Sequence, residues 1–218
     1  MTELKVTPAM YREFVAGLFH RNKGDLSKDF AHAVLGISSE VFEIARAGGD
    51  AVNVAEEAGD IMFFTVAAVM VLKEYMEAEG IVIEREGTPL HYELLDPAGW
   101  LTPGSGDLTL AGISVMVSED AILAALEKMQ SVAKAWVGYG KGPDSDTVSE
   151  TLGCLLLSAA AAFGTMAEGE PTSKQVQTAA LANIRKLQHR YPGGFSVEKA
   201  TNRDLEGERS AIESALPK

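Results

Sequence analysis

The sequence predicts an all-α helical bundle, interrupted by a short β-hairpin or lid insertion near residues 81–117. Three observations carry that expectation. Apolar residues recur at three- and four-residue spacing in successive stretches of the chain. Gly-Gly, Gly-rich and Tyr-Pro-Gly-Gly breaks separate those stretches. One stretch, Ile61 to Leu72, is apolar on nearly every side, as a helix in the middle of a bundle must be.

Taken in order, Thr7 and Pro8 form an N-cap and a residue preset for a first turn, and Tyr11, Phe14, Val15, Leu18 and Phe19 follow at helical spacing. A helix is expected near residues 8–20. Val34, Ile37, Val41, Ile44 and Ala45 mark one face of a second helix, which Gly48 and Gly49 end. A third begins between Asp50 and Val54 and continues to about Ala78. Pro89, Pro97 and Pro103 and the segments IVIERE and GISVMV give the next stretch its strand-like character. Helical spacing returns at Ser118 with Ile122, Leu123, Leu126, Met129 and Val132, breaks at GYGKGPDSD, and returns from Thr147. A further helix is expected over Ser173 to His189, closed by Tyr191-Pro192-Gly193-Gly194. The polar tail reads as a surface helix that frays. The organisation expected is one domain over 1–218, divided into 1–80, the 81–117 insertion, 118–190, and a tail over 191–218.

Composition narrows the function. With 218 residues, 46% apolar and 23% charged, the chain can build a core and is neither disordered nor a disulfide scaffold. Acidic residues outnumber basic ones 31 to 19, a net charge of −12 that repels nucleic acid polymers and anionic membranes. The single cysteine, Cys154, closes no intrachain disulfide and builds no thiolate zinc cage. The N-terminus shows no cleavable leader, and the longest apolar run is too short to span a bilayer, so a cytoplasmic location is expected.

The chemistry is expected from paired carboxylates. Glu40 and Glu43 are three apart on the second helix, and Glu57 and Asp60 three apart on the third, so each pair shares a helix face. Glu40 falls about 40° from the core-facing Ile44, at the edge of the apolar stripe. Asp60 immediately precedes the apolar run, where an uncompensated carboxylate costs on the order of several kcal/mol. The bases nearby in sequence, Arg46 and Lys73, do not balance four acids, whereas a hard divalent cation can; two amphipathic helices with ordinary solvated glutamates are the alternative. Asn183, Lys186 and Arg190, at i, i+3 and i+7, form with Arg185 and His189 a basic cluster suited to phosphate.

The stretch HAVLGISSEVFEIARAGGDAVNVAEEAGDIMFF resembles the metal-binding core of the MazG-like, all-α nucleotide pyrophosphohydrolases, an ExxE, a connector and an ExxD before an apolar helix. Glu40, Glu43, Glu57 and Asp60 match it residue by residue, and NIRKLQHRYPGGFSVEKATNRD resembles the segment that follows the core in phage and bacterial members. The resemblance implies magnesium, with manganese as a substitute, held by those four carboxylates. It implies hydrolysis of a nucleoside triphosphate, a deoxynucleotide above all, to a monophosphate and pyrophosphate. It also implies that Lys141, in a YGK turn, lies near the substrate. Glu56 is a candidate for an outer role, and His32 aligns with a histidine common in the family. Trp100, Trp136 and Tyr139 are weaker candidates for stacking on a base.

The segment from Glu127 to Phe163 can be laid on the first core, with Glu127 on Glu40, Gln130 on Glu43, Thr151 on Glu57, Cys154 on Asp60 and Gly153 on Gly59. Three of four carboxylates are gone, so tandem MazG-like halves are expected with the second degenerate, a fused counterpart of the dimeric dUTPase branch. A homo-oligomer stays open. So do a phosphoribosyl-ATP pyrophosphohydrolase, a dUTPase-like enzyme and a non-catalytic nucleotide- or protein-binding module.

Overall fold

A computed structural model describes residues 6–82, 84–85, 88–89, 119–164 and 172–216, and it is mostly helical. Helix α1 covers Pro8–Leu18; Thr7 caps it, its hydroxyl accepting from the Met10 amide at 3.3 Å. Helix α2, Leu26–Arg46, starts a full two turns before the first apolar marker, because Asp25 caps it through the Lys28 amide at 3.2 Å. Its first turn is fixed by Asp29, whose fully buried carboxylate accepts from Arg21 at 2.5 Å and from the Asn22 amide at 2.6 Å. Gly48 and Gly49 then take positive φ of 61° and 82°, which lets the chain reverse in a few residues. Asp50 caps α3, Ala51–Glu79, through the Val52 amide at 2.9 Å, and Gly80, at φ 66°, ends it.

The insertion opens with two two-residue strands, β1 (Glu84–Arg85) and β2 (Thr88–Pro89), which pair antiparallel with Glu84 opposite Pro89. Trp100 and the remainder of the expected hairpin or lid lie outside the described residues. Helices α4 (Glu119–Tyr139) and α5 (Ser145–Gly164) form a second hairpin, and α6 (Thr172–Arg190) follows. The tail forms two short helices, α7 (Val197–Thr201) and α8 (Leu205–Glu213). It is docked rather than frayed: Ile212 is fully buried against Ala55 and Ala182.

Helix α3 lies at the centre, packing on α2, α5 and α6, while α2 also packs on α4. Ile61, Met62, Val66 and Leu72 are all at most 1% exposed and share one continuous core with Phe30, Met129 and Leu155. Each such side chain contributes roughly 1.5–3 kcal/mol of burial. Two glycines set how closely the central helix is approached. A Cβ at Gly36 would stand 2.5 Å from the Phe64 ring, and one at Gly59 would stand 2.9 Å from the Ala179 carbonyl oxygen and the Asn183 Cβ. The second brings α6 directly against the acidic end of α3. Among the described residues no helix is long and apolar enough to cross a membrane.

Candidate active site

The tight Gly48-Gly49 turn and the Asp50 cap place the last turns of α2 beside the first turns of α3. Glu40 therefore meets Glu57 and Asp60, and one oxygen from each of the three lies within 4.8 Å of the others. An octahedral magnesium with bonds near 2.1 Å would need ligand oxygens about 3–4 Å apart. All three side chains are half-buried. Glu43 is exposed on the same cavity, where its carboxylate accepts from the Ser39 hydroxyl at 3.2 Å.

Asp60 has protein partners of its own. Asn183 donates to its Oδ1 at 2.7 Å, and the fully buried ammonium of Lys186 pairs with its Oδ2 and, at 3.3 Å, with Glu56. The Asn183 amide is oriented by the Tyr11 hydroxyl, which donates to its carbonyl oxygen at 2.9 Å. Burial penalises the Lys186 charge, yet Asp60 and Glu56 hold its pKa above the usual lysine value. The compensation that Asp60 demands thus comes from α6, 126 residues away in sequence. Glu56 also meets Arg203 at 3.3 Å, and Arg203 and Arg190 both meet Glu208. Three cations and three carboxylates close that network. Glu40, Glu43 and Glu57 stand outside it.

That excess has an electrostatic consequence. Burial, then the Asp60 charge and the neighbouring Glu57 and Glu43, push Glu40 up to about 9. Burial and the charges of Asp60 and Glu56 raise Glu57 to about 7, although its hydrogen bond with Glu40 and the Lys186 charge pull the other way. Glu40 and Glu57 titrate as a pair that retains a proton near neutrality. A divalent cation is one group that could replace that proton and supply positive charge there.

The carboxylates form one wall of a cavity of about 410 Å³, within the range for small-molecule sites. Arg190 and Arg203 line it as well, and most of the remaining lining is aromatic, with Leu18, Leu187 and Ala200 completing it. Phe19 stacks on His32 with ring centroids 4.9 Å apart, and His20 stacks on Phe195 at 5.1 Å, beside Phe63 and Phe64. Burial lowers the His32 pKa, so its ring stays neutral over most of the physiological range. The cavity thus combines carboxylates, guanidinium groups and flat apolar faces.

Of the residues expected from sequence, Glu40, Glu43, Glu57, Asp60 and Arg190 share this cavity, and Asn183 and Lys186 lie behind Asp60. Lys141 does not join them. Its turn, 140–145, lies against Tyr75 and Glu79. That is the far end of α3, about 22 Å along the helix from Asp60 at 1.5 Å per residue. Trp136 is buried between Phe30 and Tyr75, and Tyr139 is 74% exposed, so neither faces the cavity. Sequence reading missed Arg203, Glu208 and the role of Tyr11. Arg203 sits inside the NRD end of the second resemblance block, a signal that points to it, whereas Glu208 is hidden by the acidic character of the tail.

No family model, curated protein or solved structure matches the chain. The functional reading therefore stands on the residues of the cavity.

Proposed function

We propose that the protein is a magnesium-dependent nucleoside triphosphate pyrophosphohydrolase, converting a (d)NTP and water to a (d)NMP and pyrophosphate. One observation carries this reading: the Glu40–Glu57–Asp60 cluster shares its cavity with two arginines and a set of aromatic rings. Glu40, Glu57 and Asp60 would hold the cation, with Glu43 within the same cavity. A bound magnesium ion supplies Lewis acidity toward phosphate oxygens and a more acidic water.

The side chains supply the remainder. The aromatic faces seat the base, and Arg190 and Arg203 attract the polyphosphate. A glutamate of the cluster left free of metal takes the proton of the attacking water. The new bond joins water oxygen to the α-phosphorus, the bridging bond to the β-phosphate breaks, and pyrophosphate leaves. Asn183 and Lys186 fix the Asp60 carboxylate in place, in the manner of partners that orient metal ligands.

We also read the α2–α3 and α4–α5 hairpins as tandem MazG-like halves, the second without a cation site. What supports it is the pairing of like with like, α2 on α4 and α3 on α5. A second reading, a nucleotide-binding module without catalysis, draws on Lys186: Asp60 already has a buried cation of its own. Purified protein incubated with a panel of ribo- and deoxynucleoside triphosphates and magnesium separates the two. Monophosphate and pyrophosphate should appear together, without a diphosphate intermediate, and stop with EDTA. Binding without release of pyrophosphate from any member would leave the module.

A further inference from the structure

The cationic side of the cavity depends on a residue from the tail. Glu208 is 2% exposed, among the most buried charged side chains of the chain, and it sits one turn into α8. Its Oε1 accepts from Arg190 Nε at 2.8 Å and its Oε2 from Arg190 Nη2. The same Oε2 accepts from Arg203 Nη2 at 2.7 Å and Nε at 3.1 Å. Two guanidinium groups from separate elements, α6 and the loop before α8, thus share one carboxylate. Without it their like charges would drive them apart and toward solvent.

These bonds use the Nε and Nη2 edge of each arginine, and the Nη1 group of each takes no part in them. An arginine gripped on one edge retains donors on the other for a phosphate oxygen. Arg203 also reaches Glu56, the neighbour of Glu57 in sequence, so this cationic pair lies next to the carboxylate cluster. The helix that carries Glu208 is anchored independently. Ile212 is buried on Ala55 and Ala182, Arg209 meets Asp50 at 3.1 Å and Asn53 at 3.1 Å, and Arg185 meets Ser214 at 2.8 Å. A rigid support with a buried, doubly paired acid at its centre is more than helix attachment needs.

We infer that Glu208 is a positioning residue of the site: it holds Arg190 and Arg203 side by side on the cavity wall, where they meet the polyphosphate of the substrate. The inference rests on the pyrophosphohydrolase reading for the identity of that anion. Glu208 touches no substrate itself and acts only through the two arginines.

The test compares Glu208→Gln, Glu208→Asp, Arg203→Ala and Ile212→Ala with the native protein, reading kcat and KM for a nucleoside triphosphate and, separately, calorimetric binding of magnesium tripolyphosphate. Glu208→Gln and Arg203→Ala should each raise KM and weaken tripolyphosphate binding at least tenfold, with kcat within about threefold of native. Glu208→Asp, which restores the charge, should recover most of the loss. Ile212→Ala loosens α8 without touching either arginine and should lower the unfolding midpoint with KM unchanged. Equal KM increases in Ile212→Ala and Glu208→Gln would overturn the inference, because helix docking alone would then explain both. So would native KM and binding in folded Glu208→Gln or Arg203→Ala, while hydrolysis by the native protein stood. Glu208-dependent tripolyphosphate binding by a protein that hydrolyses no nucleotide would uphold the positioning role and sink the enzymatic reading. A native protein that neither hydrolyses nor binds would overturn both.

Discussion

The α2–α3 and α4–α5 hairpins share an outline but satisfy their polar positions in opposite ways. In the second, Thr151 donates to the Thr147 carbonyl at 2.6 Å, Gln130 donates to Ser38 at 3.0 Å, and Lys128 pairs with Glu150 at 2.5 Å on the surface. The partners of these groups are the nearest backbone or an adjacent helix. In the first, Glu56 and Asp60 draw Lys186, Asn183 and Arg203 from more than 120 residues away, and Glu40, Glu43 and Glu57 remain outside that network. The first hairpin thus gathers charged partners from the distant end of the chain, and the second does not.

Matched substitutions sharpen that contrast, and the largest effect is expected on turnover. Glu57→Gln retains the shape of the side chain and removes a charged ligand, and should lower kcat at least about a hundredfold. Thr151→Val, at the position laid on Glu57, should leave kcat near native. Steady-state kinetics on the two folded variants checks this, and equal losses would break the assignment of the site to one hairpin.

A stability difference comes next. Lys186 is fully buried and pairs with two largely buried carboxylates, so Lys186→Met leaves Asp60 without a cation and Glu56 with Arg203 alone, and should cost about 3 kcal/mol. Lys128→Met removes a solvent-exposed partner and should not measurably move the urea midpoint. If the two midpoints shift alike, the Lys186 network contributes no more than a surface pair.

How far this contrast was legible in the sequence follows from where each partner lies along the chain. The hairpin helices follow from periodicity and glycine breaks, and the pairs Glu40/Glu43 and Glu57/Asp60 from three-residue spacing, all of which are local; that the two pairs form one cluster was legible only through the family resemblance. The start of α2 at Leu26 was less legible, because Asp25 and the buried Asp29 pair fix it rather than an apolar repeat. That Lys186 serves Asp60 was out of reach, since i, i+3, i+7 spacing gives a helix face and not what the face meets. Lys141 shows the same limit in reverse. Its YGK turn carries a resemblance, but Gly142 packs tightly on Tyr75, and that holds the turn at the other end of α3. The tail was read as frayed because its composition is polar, although two buried residues, Glu208 and Ile212, are enough to dock it.

Glycines give a third matched pair. At Gly59 an added methyl would meet the Ala179 carbonyl and the Asn183 Cβ at 2.9 Å, contacts that relax only if α6 moves away from α3. Gly59→Ala should therefore destabilise by roughly 1–3 kcal/mol and loosen the Asn183 contact to Asp60. Gly153, the position laid on Gly59, has nothing within 4 Å of an added Cβ and lies within α5. Gly153→Ala should stabilise by about 0.5–1 kcal/mol through helix propensity. Chemical denaturation of both variants gives the two signs, and a stabilised Gly59→Ala would mean that α6 is not held against the site.

The last matched difference is a slope with pH. Glu40 and Glu57, raised to about 9 and about 7 in the fold, ionise near 4.3 when the chain is unfolded. Between those limits the folded protein holds more protons than the unfolded one, so its stability is greatest below the unfolded value and falls as pH rises through the folded values. In EDTA the unfolding midpoint should decline from pH 5 to pH 9. Magnesium needs the ionised carboxylates, so its affinity should rise over the same range and its presence should flatten the decline. Glu40→Gln should reduce it without metal, leaving the part that belongs to Glu57. Glu127→Gln, at the matching position of the second hairpin, should leave the slope unchanged. A metal-free midpoint that is level across this range, or a slope in Glu40→Gln equal to the native one, would remove the crowded carboxylates from the first hairpin and with them the distinction between the two.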